Sequence, residues 1–453
     1  MLSIRLGRRF DHGGKPMDAG EVVGTRRDSV ALPVPVLLVV AGFAAAVVAQ
    51  GGYYLPGRVL SAVLVGVAVV LARPRPNLLM GLGGAFAAWA LLRGVLEGDV
   101  LSGLPSVAAA GVFVGAAVVA AQADRDQREF LATVLTGVGA LVGLTGWVAV
   151  VFRLPSWSTV AEGLLRAGST LTYPNAAAAV MAATAVLSLV LRPTLFTAVT
   201  SFLLCAGIGA TMSRAGVIAL LAGLLALCAS QGVVATLTAA VPPLLGAVVA
   251  VGALLPSMRV ADEPEPLLAV AGLVAGALVA VGLPRLGRFA VPVVLLVLAG
   301  GGVAVFAFAD RLATRVSFSS PDRTGATGAA LDLVARTPLL GTGPGNGSFF
   351  FDRGNEGARV MRYVHNEYLQ VLVELGVVGL LAALGVVAAV VVGLWRGRGT
   401  PLWAGATAAV VVVLVHSGFD FLWHLPAVLI VAGLCAGLGF PSTEDGMREG
   451  TAA

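Results

Sequence analysis

The chain has 453 residues, of which 58% are hydrophobic and only 12% charged, with a formal net charge of +5 and a mean hydropathy of +0.94. A soluble domain carries about 25% charged residues, so the composition excludes a soluble globular protein and points to an integral membrane protein with many spans. The apolar runs are continuous and do not alternate, which excludes a β-barrel and leaves helices of roughly 20 residues that satisfy their own backbone in lipid.

Lys15 is the only lysine, so the basic residues are nearly all arginine. Together with the Ala, Val and Gly richness this reflects a high-GC genome and not a function. No basic stripe with interleaved aromatics is present, which argues against nucleic acid as a partner. Cys205, Cys228 and Cys435 lie far apart inside apolar runs and read as small core residues, not as a disulfide or zinc site.

In chain order, residues 1–30 are basic and polar (Arg5, Arg8, Arg9, Lys15, Arg26, Arg27) and read as a cytoplasmic tail. Apolar runs follow at 32–49, 57–72, 77–95, 104–122, 130–152, 174–191, 194–212, 215–230, 232–255, 267–283, 289–309, 371–395, 402–418 and 424–440. The expected fold is an all-α polytopic membrane protein of about 12–14 transmembrane helices, with Pro242-Pro243 interrupting one of them. The expected division is a tail at 1–30, transmembrane helices over 31–309, an extracytoplasmic catalytic loop at 310–366, transmembrane helices over 367–440 and a cytoplasmic tail at 441–453. Starting inside, the inner connections are short and mostly basic, as the positive-inside rule requires. The same alternation puts every unusual polar cluster on the outer side.

Ionisable residues at membrane depth are costly and mark function by default. Arg166 precedes a run that opens at Pro174-Asn175. It either snorkels to head groups while Asn175 caps the helix, or faces a phosphate at that helix N-terminus. Arg214, in SRAG between two apolar runs, is held at the membrane boundary and reads as functional. Arg323 precedes an amphipathic helix and then GTGPGNG, where Gly341 and Gly343 form either a backbone nest for a diphosphate or a re-entrant turn. No Gly-Lys-Ser/Thr follows, so this is not a nucleotide P-loop.

His365, Asn366 and Glu367 open the next run, with Glu374 on the face of Glu367 at i, i+7. Glu374 is too deep to partner His365 and is expected to pair with an arginine from another helix. An unperturbed imidazole titrates near pH 6.5, so His365 at the aqueous mouth is suited to accept a hydroxyl proton. His416, Asp420 and His424 share a face if helical, as site lining or support; a metal site there lacks a clear third and fourth ligand.

Five stretches resemble the bacterial O-antigen ligase and O-antigen polymerase superfamily of membrane glycosyltransferases: RAGSTLTYPNAAA, SRAG, DRTGATGAALDLVARTPLLGTGPGNGSF, VHNEYLQVLVELGVVGLL and HSGFDFLWHLPA. The resemblance covers roughly 165–440. It implies transfer of an undecaprenyl-diphosphate-linked glycan to an acceptor hydroxyl, inverting and without metal or cofactor. By similarity His365 would be the general base, and Arg214 and Arg323 would hold the diphosphate, with Arg166 a weaker carry-over. Partners would be the lipid-linked donor, a glycan, lipid or protein acceptor, and membrane lipid, at the plasma or inner membrane with both termini cytoplasmic. Ligase and polymerase are not separated by these motifs. A flippase or transporter of the lipid-linked glycan is an alternative of another class, but its polar site would lie near the bilayer midplane. A non-catalytic assembly scaffold would tolerate loss of His365 or Arg323.

Overall fold

The computed structural model describes residues 32–307, 321–352 and 357–441. The expected tails at 1–30 and beyond 441, and 308–320 and 353–356 of the long loop, lie outside the described residues. Each of the fourteen apolar runs is a helix: α1 Val34–Val48, α2 Leu55–Ala72, α3 Leu78–Leu96, α4 Leu104–Ala120, α5 Arg125–Val151, α6 Pro174–Ser188, α7 Leu195–Thr211, α8 Arg214–Gln231, α9 Val233–Met258, α10 Pro266–Gly282, α11 Ala290–Ala307, α13 Glu367–Arg396, α14 Pro401–Ser417 and α15 Pro426–Leu438. The amphipathic α12, Pro321–Arg336, lies in the long loop. Among the described residues eight helical stretches are long and apolar enough to cross a membrane by themselves, and six apolar helices are shorter. The fold is an all-α polytopic membrane protein, decorated among the described residues by two antiparallel hairpins: β1 Ser158–Ala161 with β2 Leu164–Ala167, and β3 Phe349–Asp352 with β4 Ala358–Met361.

Local signals explain the helix ends. Asp124 and Gln127 form a capping box on α5, and Thr194 and Thr197 form one on α7. Pro242 and Pro243 do not interrupt α9, which runs through both. Packing against α7 and α10 sustains a helix that proline would break in water.

The centre of the bundle is α6, in which every residue is buried. Its alanines let neighbours approach closely, the usual basis of helix association where lipid removes the hydrophobic drive. Beside it α5 and α7 touch through glycines: a Cβ on Gly207 would lie 2.6 Å from Gly143 Cα. At one end of the bundle the buried Arg128 ties α5 to its neighbours. Its guanidinium donates to Ala121 O and Phe440 O, each at 2.6 Å, beyond the ends of α4 and α15. Burying that charge is tolerable because carbonyls left over at helix ends accept from it.

One helix is broken, and the break organises the opposite end. Within α13, Gly376 has φ +68° and ψ −173°, a conformation essentially reserved for glycine. The break frees backbone groups that lipid cannot satisfy, and the segment after α12 takes them up. Thr342 N–H donates to Val373 O at 2.8 Å, Gly343 N–H to Glu374 O at 3.0 Å, and Val377 N–H to Pro338 O at 2.9 Å. Trp89 Nε1 of α3 donates to Leu375 O at 2.9 Å. Arg93 fixes the docked segment from the other side, donating to Leu340 O at 2.6 Å and pairing with Glu97 at 2.5 Å.

We predict that Gly376→Ala destabilises the protein by about 1–3 kcal/mol or more, because its Cβ would need a forbidden backbone conformation and would strike Leu339 O. Thermal unfolding in detergent would show it as a lowered midpoint, and an unchanged midpoint would mean that the break carries no weight.

Candidate functional site

Arg166, Tyr173, Asn175, Ser213, Arg323 and Asp420 meet at one end of the bundle, where α6, α8 and α13 begin and α7 and α14 end. Asp420, in the turn after α14, is fully buried. The Tyr173 hydroxyl lies 2.7 and 2.8 Å from its two oxygens and shares one proton between them. Asn175 Nδ2 donates to Oδ2, and Phe421 N–H donates to Oδ1 at 2.8 Å. Arg323, in the first turn of α12, donates to Phe419 O at 3.2 Å and places a guanidinium nitrogen 3.7 Å from the carboxylate. Burial, then the Asp420 charge, pushes the Tyr173 phenol well above its ordinary value, which keeps it a donor.

Asn175 was expected to cap α6. It sits inside the helix, after Tyr173 at the cap position and Pro174, and bridges instead. Its Oδ1 accepts from Arg166 at 2.9 Å and from Ser213 Oγ at 2.9 Å. Arg166 lies on β2 and also donates to Thr211 O, the last residue of α7, at 2.8 Å. It therefore braces two helix ends and does not snorkel to head groups. Ser213 caps α8 through Gly216 N–H at 3.1 Å, and the half-buried Arg214 is that helix's first residue.

His365 immediately precedes Asn366, which caps α13 through Leu369 N–H at 3.1 Å. Its φ of +57° is unusual for a residue with a side chain. Ser169, Thr172 and Met212, beside Arg166, Tyr173 and Ser213 in sequence, are left-handed too. Backbone strain of this kind gathers at working sites. Gln370 holds the approach to His365, accepting from Val364 N–H at 3.0 Å. His365 Nδ1 is 3.1 Å from Tyr363 O, so it carries the proton and leaves Nε2 as the acceptor. The ring edge meets Phe421 at 5.1 Å between centroids. Burial lowers the His365 pKa; Asp420 pulls it up and Arg323 pushes it down, and the net shift is downward.

Two expectations need correction, and the glycine-rich stretch takes the turn of its two readings. Glu374 pairs with no arginine among the described residues: it accepts from Gln370 Nε2 at 2.6 Å and Gly345 N–H at 3.0 Å. The glycine-rich stretch is a docked turn, not an open nest. The N–H groups of Gly341, Thr342, Gly343 and Gly345 all donate to protein oxygens. His416, Asp420 and His424 do not share a helix face, because α14 ends at Ser417. His416 is buried with neither ring nitrogen hydrogen-bonded among the described residues, so it stands behind the site and does not line it. His424 belongs elsewhere, with Nδ1 3.3 Å from Glu367 Oε1. Glu367 also accepts from Trp423 N–H and is 1% exposed. Burial lowers the His424 pKa, but Glu367 and Glu374 outweigh it and the net shift is upward.

Sequence reasoning missed the aromatic wall. Phe421 stacks on Tyr173 at 5.0 Å and on Tyr363 at 4.5 Å. The available signal was the density of Tyr, Phe and Trp at these helix ends, as at a membrane interface. Among the described residues no group of His, Cys, Asp and Glu is arranged to hold a metal ion.

The fold and the site define a polytopic membrane protein with a buried acid, arginines and a histidine at one end of its helical bundle. Residues 199–384 match the model of the family described as O-Antigen ligase. The matched part contains Arg214, Arg323 and His365. No curated protein matches the chain.

If His365 is a base, the acid limb of kcat/KM should fall below the ordinary histidine value of 6.5, because its neutral form persists to lower pH. Asp420→Asn removes the charge that raises this pKa and should move the limb lower still. A limb at or above 6.5 would remove His365 from that role.

Proposed function

We propose that the protein transfers a glycan from an undecaprenyl-diphosphate carrier to an acceptor hydroxyl at the outer membrane face. The observation that carries this reading is the convergence of Arg323, Arg166 and Asn175 with Asp420 beside His365, partly inside the segment that matches the O-antigen ligase family. The neutral Nε2 of His365 takes the acceptor proton. The acceptor oxygen bonds to the anomeric carbon as the bond to the diphosphate oxygen breaks. Negative charge then develops on the departing diphosphate, and Arg214 and Arg323 stabilise it, doing the work a divalent cation would otherwise do.

The roles of the arginines are unequal. Arg166 has two donors committed to Thr211 O and Asn175, so it shapes the site. Arg323 is about two-fifths exposed and loosely tied to Asp420, so it can turn to a phosphate. Asp420 positions Arg323 and the Tyr173–Asn175 corner and takes no proton itself.

Membranes from a strain lacking the protein supply native donors and acceptors for a transfer assay with the purified chain. His365→Ala should lower transfer by about 10²–10⁴-fold, as expected for loss of a general base. Arg214→Ala and Arg323→Ala should do likewise while the proteins still insert, and EDTA should have no effect. Full activity in any variant removes that residue from the mechanism, and inhibition by EDTA reinstates a metal.

A further inference from the structure

His365 has a conformation that must be held. Its φ of +57° is costly for a residue with a Cβ, and such strain persists only where the surroundings over-determine it. Two contacts hold the ring itself. Nδ1 lies 3.1 Å from Tyr363 O, and the ring edge meets Phe421 at 5.1 Å between centroids. Tyr363 and Phe421 stack on each other at 4.5 Å. Both contacts depend on how the turn after α14 lies against the segment that leads into α13.

One charged link fixes that placement. Glu367, two residues after His365, is 1% exposed and opens α13, where the helix dipole favours a carboxylate. Its Oε1 accepts from Trp423 N–H and lies 3.3 Å from His424 Nδ1. The His424 ring in turn packs against Tyr363 at 4.4 Å and Phe421 at 6.4 Å. The contacts close a circuit. His365 is joined to Glu367 by the chain, Glu367 to His424 by the pair, and His424 to the two aromatic rings that hold His365. Among the described residues His424 is the one ion-pair partner of Glu367.

We propose that Glu367 and His424 form a clasp that positions His365, and that the clasp loosens when His424 loses its proton. The inference rests on the transfer reading above. A neutral His424 leaves Glu367 buried without an opposite charge, which is strongly unfavourable. The turn then shifts and Tyr363 O no longer fixes the proton on Nδ1. His365 then also takes the tautomer with the proton on Nε2, whose Nε2 cannot accept one from an acceptor hydroxyl. The groups around His424 favour its charged form near neutral pH. Burial lowers its pKa, Glu367 and Glu374 of α13 raise it, Arg58 of α2 lowers it, and the net shift is upward. Arg362 lies over the Tyr363 ring at 5.6 Å. Of the other helices packed on this turn, α4 and α15 bring no charged side chain and α14 only His416. With the pKa raised, the pair holds fully below the ordinary value of 6.5 and is lost as pH rises through a value above it.

The chain has four histidines, few enough for solid-state 15N NMR of the histidine-labelled full chain in phosphatidylcholine nanodiscs. His365 should be the Nδ1–H tautomer near neutral pH. It should become a mixture of tautomers over the same range, above 6.5, in which His424 deprotonates. H424Q, which can donate to Glu367 but carries no charge, should show the mixture wherever His365 is neutral. In the transfer assay H424Q and E367Q should lower kcat about tenfold, the loss of one hydrogen bond to a charged group, with KM unchanged. The wild type should lose kcat/KM on the alkaline side, and H424Q should lack that limb. A His365 tautomer unchanged through the His424 titration overturns the clasp. So does full kcat in both variants, or an alkaline limb kept by H424Q. The wild-type spectra decide if neither variant inserts. Failure of the transfer reading shows separately, as full transfer by His365→Ala while the wild-type tautomer still follows His424.

Discussion

A carboxylate without exposed surface must be surrounded by donors, or it will not stay charged. Asp420 draws hydrogen-bond donors from the start of α6 and from its own turn after α14, and a loose ion pair from the first turn of α12. That requirement fixes how these elements meet. It brings Tyr173 and Asn175 to one corner, and Asn175 in turn gathers Arg166 from β2 and Ser213 from the start of α8. Arg323 is the one partner held loosely, which suits a group that must engage a substrate.

The second constraint is the broken helix. A bilayer tolerates unsatisfied backbone only where protein covers it, and the segment 338–345 covers the break at Gly376. The same docking anchors the long loop to the bundle through Arg93 and Glu374, so His365 and Arg323 stand on a braced platform. The aromatic stack of Tyr173, Phe421 and Tyr363 then runs along one side of the arginine centre.

The fourteen helices were legible in the sequence because the bilayer imposes one simple rule on span length and polarity. The grouping of polar residues at one end was legible from the alternation of short connections. Their partners were not. Asn175 follows a proline at a helix start and reads as a cap, yet its amide is long enough to bridge three residues from other elements. Glu374 lacks the arginine expected of a buried acid because a docked turn supplies a backbone N–H in its place. The His416, Asp420 and His424 spacing matches a helix only if the helix continues. It stops at Ser417, so Asp420 turns to Tyr173 and Asn175 while His424 turns to Glu367. Local periodicity states which residues share a face and not where a helix ends or what packs across from it.

The most direct test of the account is the size and attachment of cell-surface glycan in a strain lacking this protein, complemented with the wild-type chain or with His365→Ala. Long glycan stranded on its lipid carrier is expected in the deletion strain and in the His365→Ala strain, with attachment restored by the wild type. Single repeat units attached to the acceptor would indicate chain polymerisation by the same chemistry. Repeat units trapped on the cytoplasmic side, or full attachment restored by His365→Ala, would contradict it.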